Sequence, residues 1–207
     1  MYRLLALILI IFLNSCAIKQ AVVTDNRSPL TDVYLIPVGD FSYEFTNQLA
    51  NKLSSELHIL VRASLPMGAA NLKLIDGSSQ VVADEITMLA HQVGARIESK
   101  NKNLFVVALT TLDINDPLQS LRFLFAKNDT ANHASVISIA RMFNSTSKVN
   151  GSQAQVAIRI QKMVKRAIGE QYFRLPRSVD ITDVMYAPIM SLEDIDEMGS
   201  DYRAMAN

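Results

Sequence analysis

Cysteine is almost absent from this chain: its 207 residues include one, Cys16. A single thiol excludes an internal disulfide. Once modified, it also excludes a thiolate nucleophile and a redox pair. Histidine is scarce, with His58, His91 and His133 far apart and none after position 133. None has a ligand-like neighbour at helical spacing, so solvent-facing or capping roles are expected ahead of a metal site built from all three. Net charge of either sign is missing, because 20 basic residues balance 20 acidic ones. That balance provides no electrostatic footprint for nucleic acid or anionic lipid. The Gly-x-Ser-x-Gly of a serine hydrolase does not occur. Gly77-Ser78-Ser79 lacks a following lysine and reads as a helix N-cap rather than a phosphate loop. Asp113, Asp116 and Asp129 lack the glycine within an alternating acidic run that a calcium loop needs. A membrane-spanning run is lacking too: Leu4–Leu13 is about half of the roughly 20 apolar residues required.

The short run instead suits a signal peptide. Met1-Tyr2-Arg3 supplies a basic start, and Leu13-Asn14-Ser15-Cys16 reads as a lipobox ending in the cysteine that takes a diacylglycerol. Residues 1–15 are therefore expected to be a lipoprotein signal peptide and Cys16 the lipidation site. Ala17 stands where an inner-membrane retention signal would place Asp, which points to the outer membrane and its periplasmic face. Two acyl chains on one cysteine, often joined by a third, anchor stably where one does not. Cleavage would leave 192 of the 207 residues and remove one basic residue, Arg3. That is enough chain for one domain with its own core. Residues 16–31 read as a lipidated tether, roughly 50 Å if fully extended.

Periodicity organises the remainder. Val33–Val38 reads as a strand, and Phe45, Leu49, Leu53 and Leu57 mark a helix over 42–57. A second strand is expected at 59–63 and a second helix at about 80–98. Leu104–Leu109 is a short continuous apolar run, the pattern of a central strand covered on both faces. Strands follow at 121–125 and 135–139, separated by a loop, Lys127–His133. A long helix spans about 152–172. Its inward face is Val156, Ile160, Met163, Val164, Ala167 and Ile168, and its opposite face is Arg159, Lys162, Lys165, Arg166 and Glu170. A short last helix near 192–198 carries an acidic stretch, Glu193–Glu197, expected to be a solvated face. The order implies one α+β domain: a mixed, mainly parallel sheet with two to three packed helices over residues 32–198. The tail, 199–207, shows no core signal, so it docks on a neighbour or lacks order.

Several segments together resemble the archaemetzincins, zinc peptidases of the metzincin type. Thr110-Thr111-Leu112-Asp113 leads to Arg122-Phe123-Leu124-Phe125-Ala126, as a Thr/Asp segment leads to an Asn-Phe-Val-Phe-Gly strand in that family. Val136-Ile137-Ser138-Ile139-Ala140-Arg141-Met142 resembles its Val-Ile-Ser-x-x-Arg-Leu. Val184-Met185, followed by Ser191-Leu192-Glu193-Asp194-Ile195-Asp196, is similar to its Met-turn with one extra residue. The resemblance covers about residues 33–198 and implies a metzincin-like fold with Met185 in the Met-turn.

The same resemblance implies a zinc helix bearing His-Glu-x-x-His, whose i and i+4 imidazoles share one face while the Glu acts as base. On the best register this chain has Arg166 and Glu170 at the histidine positions, Ala167 at the base and Pro176 near the third ligand. The cysteines of the family's second zinc are missing as well. No cofactor is therefore expected, and the chain reads as a pseudoenzyme. Arg166 and Glu170 have two readings. They are an i, i+4 pair on an exposed helix, worth about 0.3–0.5 kcal/mol, or they put fixed charges where a metal was. The functional expectation is a lipid-anchored structural or protein-binding subunit of an envelope assembly. In kind it is similar to outer-membrane core-complex lipoproteins of Dot/Icm-like type IVB secretion systems. Its partners would be the membrane, through Cys16, and other envelope or secretion-complex proteins, with no nucleic acid. The rival expectation is an active zinc peptidase or peptidoglycan hydrolase with a rebuilt metal site using His58, His91 or His133.

Overall fold

Hydrophobic strands and amphipathic helices share the chain, and the three long helices cover the two faces of the sheet that those strands build. The computed structural model describes residues 30–97, 101–143 and 153–205. Cys16, the signal peptide and nearly all of the tether lie outside the described residues. The elements are β1 (Val33–Val38), α1 (Tyr43–Leu57), β2 (Val61–Ala63), β3 (Val81–Val82), α2 (Ala83–Ile97), β4 (Phe105–Thr110), β5 (Ile114–Asn115), β6 (Ala126–Asp129), β7 (Ala134–Ser138), α3 (Gln153–Gln171) and α4 (Leu192–Glu197).

Five strands form the main sheet in the order β2-β1-β4-β7-β6, and β3 pairs with β5 in a small second sheet. The first four strands of the main sheet run parallel, while β6 lies antiparallel to β7 at one edge. Val33, Leu35, Phe105, Val107, Leu109 and Ile137 point to the side covered by α1 and α3. Tyr34, Ile36, Val106, Ala108 and Val136 point to the side covered by α2. Two-sided burial explains why β1 and β4 read as continuous apolar runs rather than alternating ones. The result is the expected α+β domain with a mixed, mainly parallel sheet.

Local signals set the helix ends. Ser42 caps α1, its hydroxyl accepting from Phe45 N at 3.2 Å, and His58 closes it in the left-handed conformation at φ 54°. Ser191 and Asp194 form a reciprocal capping box on α4.

Four sequence expectations need correction here. The strand expected at 121–125 does not form, because side-chain amides take its carbonyls: Asn115 Nδ2 donates to Leu121 O and Gln80 Nε2 to Arg122 O. The strand lies instead at Ala126–Asp129, inside the expected loop. Its polar, half-buried residues give no hydrophobic signal because it is an edge. Ser78 does not cap a helix; its hydroxyl accepts from Gln80 N in a turn at Gly77, five residues before α2 begins. The tail also belongs to the domain: Tyr202 is buried against α3 with its hydroxyl donating to Lys165 O.

Candidate functional site

The long helix α3 is buried on more sides than its pattern indicates. Val156, Ile160, Met163, Val164, Ala167 and Ile168 face the sheet as expected. Arg159, Lys162 and Lys165, expected on a solvated face, are buried beneath residues 194–202. Arg159 is 1% exposed; its Nε and Nη2 grip the Asp196 carboxylate at 2.7 and 2.6 Å. Lys162 Nζ donates to the carbonyls of Ile195, Asp196 and Met198 at 3.0, 2.8 and 2.6 Å, satisfying the end of α4. Burial pushes the Lys162 ammonium pKa down. Lys165 Nζ reaches Asp201 Oδ1 at 2.7 Å and Glu56 Oε2 at 3.5 Å. Within the acidic stretch Glu193 and Glu197 are exposed, as expected of a solvated face, but Asp196 turns inward to pair with Arg159. Charge periodicity alone could not reveal this, because the partner segment is about 36 residues away in sequence.

Beside this row α3 forms the floor of a cleft of about 800 Å³. One wall is the segment 119–125 with β6, and the other carries Arg177 and Pro188–Met190. Met163, Arg166, Ala167 and Glu170 line the floor. Three of the sequence-derived site residues therefore share one concavity. Met185 packs against the same helix at Gly169, where an added Cβ would meet its Sδ at 2.5 Å. Met185 is buried with Val184 and Tyr202, and its N–H donates to Asp183 Oδ1 at 2.9 Å.

Arg166 and Glu170 are not on an exposed face, so the weak surface-pair reading does not hold. Their side chains are 12% and 19% exposed, with Nη1 and Oε2 separated by 3.6 Å. Arg166 Nε donates to Tyr186 O at 3.1 Å, which ties the guanidinium to the turn after Met185. Burial pushes the Arg166 pKa down, opposed by the Glu170 charge. On its other side Glu170 Oε1 accepts from Arg177 Nη2 at 3.1 Å. Arg177 follows Pro176 in sequence and was missed as a site residue; its place next to the expected third ligand position was the available signal.

The cleft's donor set does not suit zinc. No histidine or cysteine lines it, and Glu170 is the one carboxylate among the lining residues. A guanidinium has no lone pair to offer and stays protonated, so Arg166 repels a dication. Ala167 carries no group that could accept a proton. Elsewhere, His91 and His133 share a separate pocket of about 240 Å³, which His58 does not line. No group of three His, Cys, Asp or Glu side chains among the described residues is placed to hold a metal ion. Asp113, Asp116 and Asp129 each take a different side-chain partner, Arg141, Lys127 and Asn132 respectively.

The open edge of β6 completes the site. Ser138 N donates to Phe125 O at 2.9 Å, so residues 125, 127 and 129 direct their backbone groups at β7. Alternation then turns the N–H and C=O groups of Ala126 and Asn128 away from β7 and toward the cleft they line. At the neighbouring outward position, Leu124 N already donates to Ile114 O at 2.9 Å.

No protein-family model matches the chain, and no curated protein matches it. Among solved structures, a zinc-dependent peptidase from Methanocorpusculum labreanum aligns with a TM-score of 0.67 at 18% identity, covering 82% of this chain and 95% of that one. Archaemetzincin from Archaeoglobus fulgidus, complexed with malonate, aligns with a TM-score of 0.63 at 16% identity, over 82% and 94%. The fold is archaemetzincin-like. At these identities the likeness is one of fold, and the chemistry of this archaemetzincin-like cleft must be read from its own side chains.

Proposed function

We propose that this chain is a lipid-anchored, catalytically inactive member of the metalloprotease-fold group that serves as a structural or protein-binding subunit of a cell-envelope assembly. The observation that carries the reading is the Arg166–Glu170–Arg177 set on the cleft floor. On the archaemetzincin register those charges occupy the zinc-ligand region, and Ala167 replaces the base. With the metal positions taken by a guanidinium and its carboxylate, water activation by zinc has no residues to support it. What the cleft keeps is a concave wall with an open strand edge, suited to binding a peptide by strand addition. Lipidation at Cys16 would fix that cleft near membrane-bound partners, as in the outer-membrane core complex of a type IV secretion system.

Two measurements test this. Detergent extraction and affinity isolation of the tagged native protein should recover stable envelope partners; recovery as a free monomer would overturn the assembly role. Purified protein should carry far less than one zinc per chain and show no peptidase or peptidoglycan-cleaving activity. Stoichiometric zinc, lost together with activity on mutating His91 or His133, would establish the rebuilt-enzyme alternative instead.

A further inference from the structure

The cleft concentrates positive charge in a chain whose formal net charge is zero. Its lining includes Arg122, Lys127, Arg166 and Arg177, against the single acid Glu170. Lys127 is neutralised from outside the lining set, by Asp84 and Asp116, each at 2.7 Å. Glu170 balances one of the two guanidiniums beside it. Among the described residues, Arg122 and one guanidinium equivalent therefore remain uncompensated. The donor count says the same. Each guanidinium has five N–H donors, yet among the described residues Arg166 makes one hydrogen bond, to Tyr186 O, and Arg177 makes one, to Glu170. Arg166, 12% exposed and lining the cleft with most of its donors unused, is matched by a carboxylate, which accepts two parallel bonds from a guanidinium.

Two further features constrain the shape of the ligand. Ala126 and Asn128 offer backbone donors and acceptors along the open edge of β6, the pattern an added strand requires. Leu121 and Met190 are exposed on opposite walls, providing apolar contacts between the charged positions. In an extended segment successive side chains point to opposite faces. An acidic residue can then face the α3 floor while its neighbours reach the apolar walls.

We propose that the cleft takes an extended acidic peptide segment of a partner protein, added as a strand to β6, with a carboxylate of that segment held by Arg166 and Arg177. This rests on the peptide-binding reading above and assigns the chemistry of its ligand.

The test uses the full-length chain in detergent micelles and a displayed library of random ten-residue peptides. Selected peptides are expected to be rich in Asp and Glu, and to weaken as salt rises. Replacing the selected acids with Asn or Gln should cost at least about tenfold in affinity, the loss of one charge-assisted bond. Arg166→Gln combined with Arg177→Gln should cost at least as much. Lys73→Gln, an exposed change away from the cleft that removes the same single charge as Arg177→Gln, should cost less than about twofold. Arg177→Gln alone, on a side chain 63% exposed, keeps the question answerable if the double variant does not fold. N-methylation of alternate peptide amides should abolish binding independently of charge, because it removes strand donors.

Failures separate cleanly. Selected peptides that are neutral or basic but still sensitive to N-methylation would overturn the acidic ligand and leave strand addition standing. Acidic peptides indifferent to Arg177→Gln, or a short oligonucleotide binding equally well, would overturn the carboxylate assignment. If no selected peptide is sensitive to N-methylation, the peptide-binding reading of the cleft itself fails.

Discussion

Arg159 and Asp196 show how far a residue's role depends on where its partner lies. Removing one partner of a buried ion pair strands the other, at a cost of about 3–5 kcal/mol. The Asp196 carboxylate is partly open, so Asp196→Ala should destabilise by about 3 kcal/mol, the low end of that range, read from the midpoint of urea unfolding. The hydrogen bond from Arg159 holds the Asp196 pKa below the usual carboxylate range, as the bond from Lys127 does for Asp116. Depressed folded-state values mean that the unfolded chain binds more protons in acid. The associated stability is present above the unfolded value, about 3.9, and is lost as pH falls through the folded values. Urea midpoints should therefore drop steeply below about pH 4 in the parent chain, and the drop should be shallower in Asp196→Asn. An unchanged slope would show that the pair carries no linkage. At this scale the sequence was a poor guide, since Arg159, Lys162 and Lys165 look solvated until residues 194–202 are folded over them.

At the scale of elements, α3 is the part that everything else is arranged around. One face meets the sheet, a second is clamped by the C-terminal segment, and a third forms the cleft floor. Gly169 is where the clamp comes closest. Glycine-to-alanine within a helix ordinarily stabilises by about 1 kcal/mol. Here the new Cβ would lie 2.5 Å from Met185 Sδ and 2.6 Å from Tyr202 Cε1, so the sign should reverse. Gly169→Ala is expected to destabilise by about 1–3 kcal/mol through overpacking, measurable as a lower melting temperature. Stabilisation would mean that the turn around Met185 yields freely. Helix positions were legible because an apolar stripe at helical spacing needs only one partner surface. β6 was not legible, because its four residues, three of them polar, are all half-buried, so no apolar alternation marks it. The minor sheet of β3 and β5 escaped notice because two-residue strands have no period.

For the whole molecule, the proposed lipid anchor and the cleft would be separable devices. If Cys16 carries the proposed lipid, Cys16→Ser should release the protein from membranes while leaving its urea midpoint unchanged, because the described domain core is built from residues 31–202. A variant that stayed membrane-bound in high salt would contradict lipidation as the anchor. Truncation after Met198 should be far more damaging than tail removal usually is. It deletes the buried Tyr202 and the Asp201 partner of Lys165. A truncated chain that kept the parent melting temperature would show that this docking contributes nothing to stability.

By itself the sequence determined the three long helices, the strands β1, β2, β4 and β7, the two-sided burial of β4, and the absence of any histidine pair at zinc-binding spacing. These properties are written in local composition and period, which need no knowledge of distant residues. Tertiary structure alone decided which charges are partners and which surface is open. It set Arg177 against Glu170, brought Asp196 to Arg159, and left the outward backbone of Ala126 and Asn128 facing a cationic floor. Each of these depends on residues far apart in the chain meeting in space, and an ion pair or an unpaired strand edge has no sequence period to announce it.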